Sequence, residues 1–220
     1  MRHWRTLAKH LGLSQGKNEM SDKIALFDMD NTLFDYNGAL QRDLQSLLSP
    51  GEAFSTDVSS PWIKSRIDLI KRTPGWWKNL PIYEPGWVIY REVQRLGFGI
   101  QILTKGPFDN HTAWAEKVEC IQDLCGNDIG INIVSANKPG SGMDKAGTYG
   151  HVLVDDYGPY VLGWLKHRPR GLAIMPAHDY NEDVTHPNII RYDGSNMEEI
   201  TKALIAVKNR KENEHWKDEQ

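Results

Sequence analysis

The sequence predicts an α/β fold: a Rossmann-like three-layer parallel sheet with a small helical cap inserted near its start. Three observations carry this. Six short apolar runs, most of them bounded by Gly, Pro, Asn or Asp, read as strands. Helical periodicity fills most of the intervals, and strands alternating with helices require crossover connections between parallel neighbours. One interval, from Asp35 to about Leu80, holds two helical patterns and no strand.

Residues 1–22 form an N-terminal extension. Met1 to Leu13 mixes His3, Arg5, Lys9 and His10 with Trp4, Leu7, Leu11 and Leu13. That pattern suits a short amphipathic helix and lacks the continuous apolar stretch of a secretory signal. Met20, just ahead of the first strand, is an alternative start. The α/β core takes residues 23–34 and 81–207, and the cap takes 35–80. The first strand is Ile24–Asp28. In the cap, Leu40, Leu44, Leu47 and Leu48 line one helical face, and Trp62, Ile63, Arg66, Ile67 and Ile70 line another. Ser49-Pro50-Gly51 and Ser59-Ser60-Pro61 break the chain between them. A cap placed there can exclude water and supply substrate contacts.

The core then alternates. A helix with Ile89, Val93 and Leu96 on one face leads to the strand Gly99–Leu103. A second helix, with Trp114, Val118, Ile121 and Cys125 as its stripe, leads to Ile131–Val134. The strands His151–Val154, Leu172–Met175 and Ile189–Tyr192 follow. A last helix carries Met197, Ile200, Leu204 and Val207. Residues 208–220 are a charged tail, expected to fray.

Composition narrows the function classes. With 220 residues and 40% hydrophobic content, the chain can bury one large core or a core plus cap. A net charge of −3 gives no basic footprint and argues against a tight duplex-DNA binder. Cys120 and Cys125, five apart on one helix, read as reduced thiols of a reducing compartment. No apolar stretch is long enough to span a bilayer.

The chemistry lies at strand ends. Asp28-Met29-Asp30-Asn31-Thr32 follows the apolar run Ile24-Ala25-Leu26-Phe27, so both carboxylates emerge at a carboxyl edge, where open α/β sheets bind ligands. One carboxylate can attack phosphorus, and the other can give a proton to the leaving oxygen and take one from water. Two anions beside a phosphate repel, so a divalent cation is called for. Thr104 ends a later strand, and its hydroxyl with the backbone N–H groups of Lys105 and Gly106 can hold phosphate oxygens. Lys145 can neutralise phosphate charge and the Asp28 carboxylate. Asp155-Asp156 ends the strand His151–Val154, and paired carboxylates there are costly without a cation. Taken singly, these features are also a turn, a solvated lysine and a capping pair. Their order along the chain is what selects the chemical reading.

In that order the chain resembles the haloacid dehalogenase superfamily of aspartate-nucleophile phosphotransferases, over Ile24 to about Met175. The resemblance implies Asp28 as nucleophile and Asp30 as general acid/base, with the Asp30 carbonyl a metal ligand. It implies Thr104 as the phosphate binder and Lys145, ten residues before Asp155, as the phosphate-neutralising lysine, with Lys138 a less well placed rival. Asp156 would be the direct magnesium ligand and Asp155 its supporting partner, so Asp28, Asp30 and Asp156 hold Mg2+. A narrower resemblance rests on Pro74-Gly75-Trp76-Trp77-Lys78-Asn79-Leu80-Pro81, Pro85-Gly86, Ile102-Leu103-Thr104 and Pro107. These look like the 5'(3')-deoxyribonucleotidase family, in which the aromatics after Pro-Gly help form a nucleoside pocket. Trp76 and Trp77 are therefore the expected base-binding residues, one stacking the substrate and the other anchoring the cap. The chain departs from that family's pattern at Lys105-Gly106, where a small hydroxyl residue is expected, and at Asn31, where many relatives carry glycine. Pro176 to Asn181 resembles the family's loop after the fifth strand.

The resemblance thus implies a magnesium-dependent hydrolase of deoxyribonucleoside monophosphates in the cytoplasm. Its partner would be a small nucleotide, with no stable nucleic-acid complex, no membrane, and a homodimer as a candidate assembly. A phosphatase for another small metabolite, a non-catalytic phosphate-binding domain and a nucleic-acid end phosphatase are the rival readings.

Overall fold

The structure is a computed structural model that describes residues 22–135, 145–211 and 214–217. The expected N-terminal helix, the alternative start at Met20 and the rival lysine Lys138 lie outside the described residues. Six described strands, β1 (Ile24–Phe27), β2 (Gly99–Lys105), β3 (Gly130–Val134), β4 (Val152–Val154), β5 (Leu172–Pro176) and β6 (Ile189–Tyr192), form one sheet in the order β3-β2-β1-β4-β5-β6. Every neighbouring pair is parallel. All six strand expectations hold to within two residues at either end, and the α/β Rossmann-like class with them.

The strand order sets the position of the site. The chain moves outward from β1 to β3, then restarts beside β1 with β4. The crevice beyond the carboxyl ends of β1 and β4 is the topological switch point, where such sheets bind ligands. Residues alternate across the sheet. Ala25 and Phe27 pack into a large cluster with helices α3 (Glu84–Arg95), α4 (His111–Cys125) and α6 (Met197–Asn209). Leu26, Leu103 and Leu153 face the other side, against Val161, Trp164 and Leu165 of α5 (Gly158–His167).

Between β1 and α3 lie two helices, α1 (Tyr36–Ser46) and α2 (Pro61–Arg72). Asp35 caps the first, its Oδ1 accepting from the Gly38 N–H at 2.9 Å. Pro61 opens the second, and Lys71 and Arg72 lie in its last turn, where the helix dipole favours cations. Leu44, Ile63, Ile67 and Ile70 bury against one another as a small separate core. This pair is tied to the main domain at one end: Arg72 pairs with Asp109 at 2.5 Å, and Asn110 Nδ2 donates to the Lys71 carbonyl at 2.7 Å.

Two expectations are corrected. The buried face of α4 is not the Trp114, Val118, Ile121, Cys125 stripe. It is Ala113, Glu116, Lys117, Cys120, Ile121 and Leu124, a face that holds two charged residues, each with buried polar partners. In the charged tail, Trp216 is 4% exposed and joins the main core, and Lys217 donates to the Pro187 carbonyl. An indole buried to that degree anchors the described residues 214–217, which were expected to fray with the rest of the tail. No described helix is long and apolar enough to cross a membrane.

Candidate active site

Asp28 follows β1 directly, and its N–H donates to the Val154 carbonyl at 2.9 Å, which extends the β1–β4 ladder to the site. The chain then turns sharply. The N–H groups of Thr32, Leu33 and Phe34 all converge on the Met29 carbonyl, at 3.3, 2.8 and 2.8 Å. Asn31 makes the turn possible: at φ 57° it alone among the described non-glycine residues adopts a positive φ. Asparagine tolerates that left-handed region better than other side chains, so it can stand where glycine was expected. Its Oδ1 also accepts from the Asn37 N–H at 2.8 Å, tying the turn to α1.

Lys145 lies at the centre of the charge arrangement. Its side chain is fully buried, and its Nζ sits 2.6 Å from Asp28 Oδ1 and 2.6 Å from Asp155 Oδ2. Burial alone would lower its pKa, but the two carboxylates outweigh that, and it is held above the usual lysine range. Asp155 is pushed up to about 6 by burial, with Lys145 pulling down and Asp28 pushing up. Its Oδ1 accepts from the Tyr157 N–H at 2.9 Å.

Asp156 turns toward the Asp28 loop. Thr32 Oγ1 donates to its Oδ1 at 2.9 Å and accepts from its backbone N–H at 3.1 Å. The Tyr180 hydroxyl donates to its Oδ2 at 2.5 Å. Burial, then Asp155 and Asp28, raise the Asp156 carboxyl well above its ordinary range. Side-chain oxygens of Asp28, Asp155 and Asp156 lie within 4.8 Å of one another, a convergence of hard oxygen donors suited to Mg2+ or a similar cation. Among the described residues, Asp30 makes a fourth carboxylate beside the two ammonium groups that pair with this set, Lys145 and Lys117. The unbalanced negative charge fits a divalent ion.

Asp30 is placed differently from the other three. Its Oδ2 pairs with Lys117 Nζ at 2.7 Å, and its Oδ1 is buried with no hydrogen-bond partner among the described residues. Burial raises its pKa, Lys117 pulls it back, and Asp28 pushes it up again; the outcome is a raised value. Lys117 also donates to Thr104 Oγ1 and to the Lys105 carbonyl, both at 3.0 Å, and lies 4.8 Å from the centre of the Trp77 ring. It therefore joins Asp30, the end of β2 and the aromatic segment. The sequence reading passed over it. Its signal was present: Ala113, Cys120, Ile121 and Leu124 stand at −4, +3, +4 and +7 from it, so a lysine occupies the middle of an apolar stripe.

Glu116, also missed, takes the backbone N–H groups of Gly75 at 2.6 Å and Trp77 at 3.1 Å, fixing the Pro-Gly-Trp-Trp segment to α4. Trp77 is 4% exposed; it stacks on Tyr36 at 5.6 Å and donates to the Lys71 carbonyl at 2.9 Å. Trp76 is partly buried, meets Tyr36 edge-on at 5.6 Å, and donates to Asp43 Oδ2 at 2.6 Å. Gly86, at the start of α3, allows close packing under the loop, since a Cβ there would stand 1.7 Å from the Thr32 carbonyl oxygen. Tyr83, His178 and Tyr180 stack in a row with ring centres 4.8 Å apart, and His178 Nε2 donates to the Asn31 carbonyl at 2.8 Å.

The structure thus brings Asp28, Asp30, Thr104, Lys105, Lys145, Asp155 and Asp156 to one edge of the sheet, with Trp77 beside Lys117 and Trp76 edge-on to Trp77. A known structure shares the fold. A HAD family hydrolase from Deinococcus radiodurans R1, solved with bound phosphate and sodium, matches with a TM-score of 0.53 at 11% identity, over 85% of this chain and 96% of that one. A haloacid dehalogenase-like family hydrolase from Xanthomonas campestris aligns over 87% of this chain and 100% of that one, at 17% identity and a TM-score of 0.44. At such identities the likeness is one of fold. No protein-family model and no curated protein matches the chain.

Proposed function

We propose that the chain is a magnesium-dependent phosphomonoester hydrolase of the haloacid dehalogenase type, acting on deoxyribonucleoside monophosphates through an aspartyl-phosphate on Asp28. The observation that carries this is the meeting of Asp28, Asp155 and Asp156 around buried Lys145 at the switch point of the sheet, with Asp30 two residues on. The phosphate in the Deinococcus structure of the same fold is in keeping with it.

The residues divide the work. Lys145 holds Asp28 Oδ1, so attack on phosphorus falls to Oδ2. As the Asp28 Oδ2–P bond forms, the P–O ester bond breaks, and Asp30 gives its proton to the leaving oxygen. The raised pKa of Asp30 suits a proton donor. In the second half, Asp30 takes a proton from water, the water oxygen attacks phosphorus, and Asp28 leaves as carboxylate with inorganic phosphate released. Lys145, Thr104 and the Lys105 N–H hold the equatorial oxygens; the Gly106 N–H, expected to share this role, donates instead to the Val134 carbonyl at 3.0 Å. A divalent cation held by Asp28, the Asp30 carbonyl and Asp156, with Asp155 in support, would supply neutralisation of phosphoryl charge. The aromatic wall of Tyr36, Trp76 and Trp77 supports a nucleoside as the leaving group. The near-complete burial of Trp77 favours a second reading, a phosphatase for another small phosphate ester.

The test is phosphate release across the common ribo- and deoxyribonucleoside monophosphates, sugar phosphates and p-nitrophenyl phosphate, with magnesium and with EDTA. The expected result is magnesium-dependent release that favours deoxynucleotides and is abolished by Asp28→Asn, which keeps the carboxylate's shape but not its nucleophilicity. Activity within tenfold of wild type in that variant would exclude the covalent route.

A further inference from the structure

The loop that leaves β5, Pro176 to Asn181, takes no part in the chemistry proposed above, yet it bonds to two of the segments that carry it. It ends in one turn of 3-10 helix, Asp179–Asn181. Asn181 is buried and uses its whole side-chain amide. Its Nδ2 donates to the Asp156 carbonyl at 3.0 Å and to the Pro176 carbonyl at 2.9 Å. Its Oδ1 accepts from the His178 N–H at 3.0 Å and from Arg191 Nε at 3.1 Å. Two donors and two lone pairs are all that the amide offers. Arg191, on β6, also donates to the His178 carbonyl at 3.0 Å. The loop is thereby fixed to the carboxyl end of β4 and to β6.

From that fixed loop two side chains reach the site. His178 Nε2 donates to the Asn31 carbonyl at 2.8 Å, and the Asn31 N–H donates to the Phe34 carbonyl at 2.7 Å. Bonds on both sides of Asn31 hold the peptide that carries the Asp30 carbonyl. Tyr180 donates to Asp156 Oδ2 at 2.5 Å, while Thr32 Oγ1 donates to Oδ1 at 2.9 Å. Short hydrogen bonds to a carboxylate are the strong ones. An ionised carboxylate has about four acceptor sites. These two donors take one on each oxygen, which stops the group from rotating and leaves sites for a cation. A ring kept only for packing would be covered. Tyr180 is 49% exposed, stacks on His178 with Tyr83 next in the row, and directs its hydroxyl at a carboxylate in a residue that is 3% exposed.

We propose that Tyr180 is a positioning residue for the divalent cation: with Thr32 it locks the Asp156 carboxylate in the orientation that ligates the ion, while His178 of the same loop fixes the peptide of the Asp30 carbonyl. This role rests on Asp156 being a cation ligand, as proposed above. A phenol is neutral at working pH, so Tyr180 acts by orienting the ligand and not by offsetting its charge. Groups that orient a metal ligand without touching the ion still set affinity, and losing one typically costs about tenfold to a hundredfold.

The experiment is titration of the full-length protein with Mn2+, the free ion being counted by electron paramagnetic resonance, with Mg2+ as competitor. It compares wild type with Tyr180→Phe, Tyr180→Leu and Asp156→Ala, each checked for folding by circular dichroism in EDTA. Tyr180→Phe keeps the ring and its stack and loses only the hydroxyl. It is expected to bind Mn2+ about tenfold to a hundredfold more weakly than wild type, and Tyr180→Leu to bind no more tightly than Tyr180→Phe. Wild-type affinity in Tyr180→Phe, with Asp156→Ala impaired, would make Tyr180 a packing residue; that result overturns the positioning role and leaves the hydrolase reading standing. Unchanged affinity in Asp156→Ala, or no Mn2+ bound by wild type at millimolar concentration, would overturn both.

Discussion

The Nζ of Lys117 stands 2.7 Å from Oδ2 of Asp30, and that lysine side chain is 1% exposed. An ammonium so deeply buried persists only where it is paired, and here the partner is the carboxylate assigned to proton transfer. Thr104 Oγ1 and the Lys105 carbonyl complete its coordination, so the same lysine sets the distance between the Asp28 loop and the end of β2.

Lys117→Met should therefore act through Asp30. The carboxylate loses the cation that pairs with it, and its pKa should rise further. We expect kcat to fall at least tenfold. The double variant Lys117→Met/Asp30→Asn should be no slower than Asp30→Asn alone, because the two residues work as one unit. Turnover of all three variants on p-nitrophenyl phosphate is the measurement. Fully additive losses would detach Lys117 from Asp30 and leave it a role on the phosphate or the β2 loop.

Lys117 also marks where the sequence became hard to read. The six strands were legible because each is a short apolar run ended by a turn residue, and the Asp28 loop because it follows such a run directly. Lys145 stands 2.6 Å from Asp28, the carboxylate it was expected to neutralise, and 2.6 Å from Asp155, a contact the sequence did not announce. The α4 stripe was misread because apolar periodicity excludes charged residues by construction, whereas Glu116 and Lys117 are buried by the partners they hold. Tyr180 lies in a single turn of 3-10 helix, Asp179–Asn181, and His178 caps it; a segment that short shows no period to mark a side chain aimed at Asp156 or at the Asn31 carbonyl. The roles of Trp76 and Trp77 could not be separated in sequence, since burial against Tyr36 depends on how the inserted helices sit.

Gly86→Ala tests how tightly the catalytic loop is supported. The new Cβ would stand 1.7 Å from the Thr32 carbonyl oxygen and 2.7 Å from its carbon, both backbone atoms. Something must move, and Thr32 is the residue whose hydroxyl holds Asp156. Overpacking of a rigid contact costs roughly 1–3 kcal/mol or more. A melting temperature lowered by several degrees and a kcat at least a hundredfold down are expected. A variant with wild-type melting and turnover would show that α3 can slide away from the loop.

Acid should weaken the fold through His151. Its Nδ1 accepts from the Ile24 N–H at 3.1 Å, so the ring must be neutral there, with its proton on Nε2 toward the Tyr149 hydroxyl. Its folded pKa is lowered to about 4, below an ordinary value of 6.5. Between those values the unfolded chain binds more protons than the folded one, so stability falls as pH drops from about 6.5 toward 4. Because the ring is only about half-buried, solvent screening reduces the effect. Melting temperatures at pH 7 and pH 5 should fall less in His151→Gln than in wild type, since glutamine keeps an acceptor and does not titrate. An equal fall in both would place the acid sensitivity elsewhere.

Trp76 and Trp77 separate packing from substrate recognition. Trp77 is 4% exposed, with Tyr36 stacked against it, Lys117 over the ring, and its indole N–H held by the Lys71 carbonyl. Little of it is left for a ligand, so it takes the anchoring role. Trp77→Ala should cost about 3–5 kcal/mol of stability, the usual range for a buried indole, and lower turnover of every substrate alike. Trp76 is only partly buried, its N–H on Asp43 and its edge on Tyr36. If it supplies the face on which a base rests, Trp76→Ala should raise KM for deoxynucleotides by the equivalent of about 1–3 kcal/mol. It should leave p-nitrophenyl phosphate, which has no base, nearly unchanged. The comparison needs both variants, both substrates and a melting curve for each protein. An equal loss on both substrates in Trp76→Ala, with a lowered melting temperature, would make both tryptophans packing residues. Nucleotide preference would then have no support from the aromatic segment, and the phosphatase reading would rest on the carboxylates and Lys145 alone.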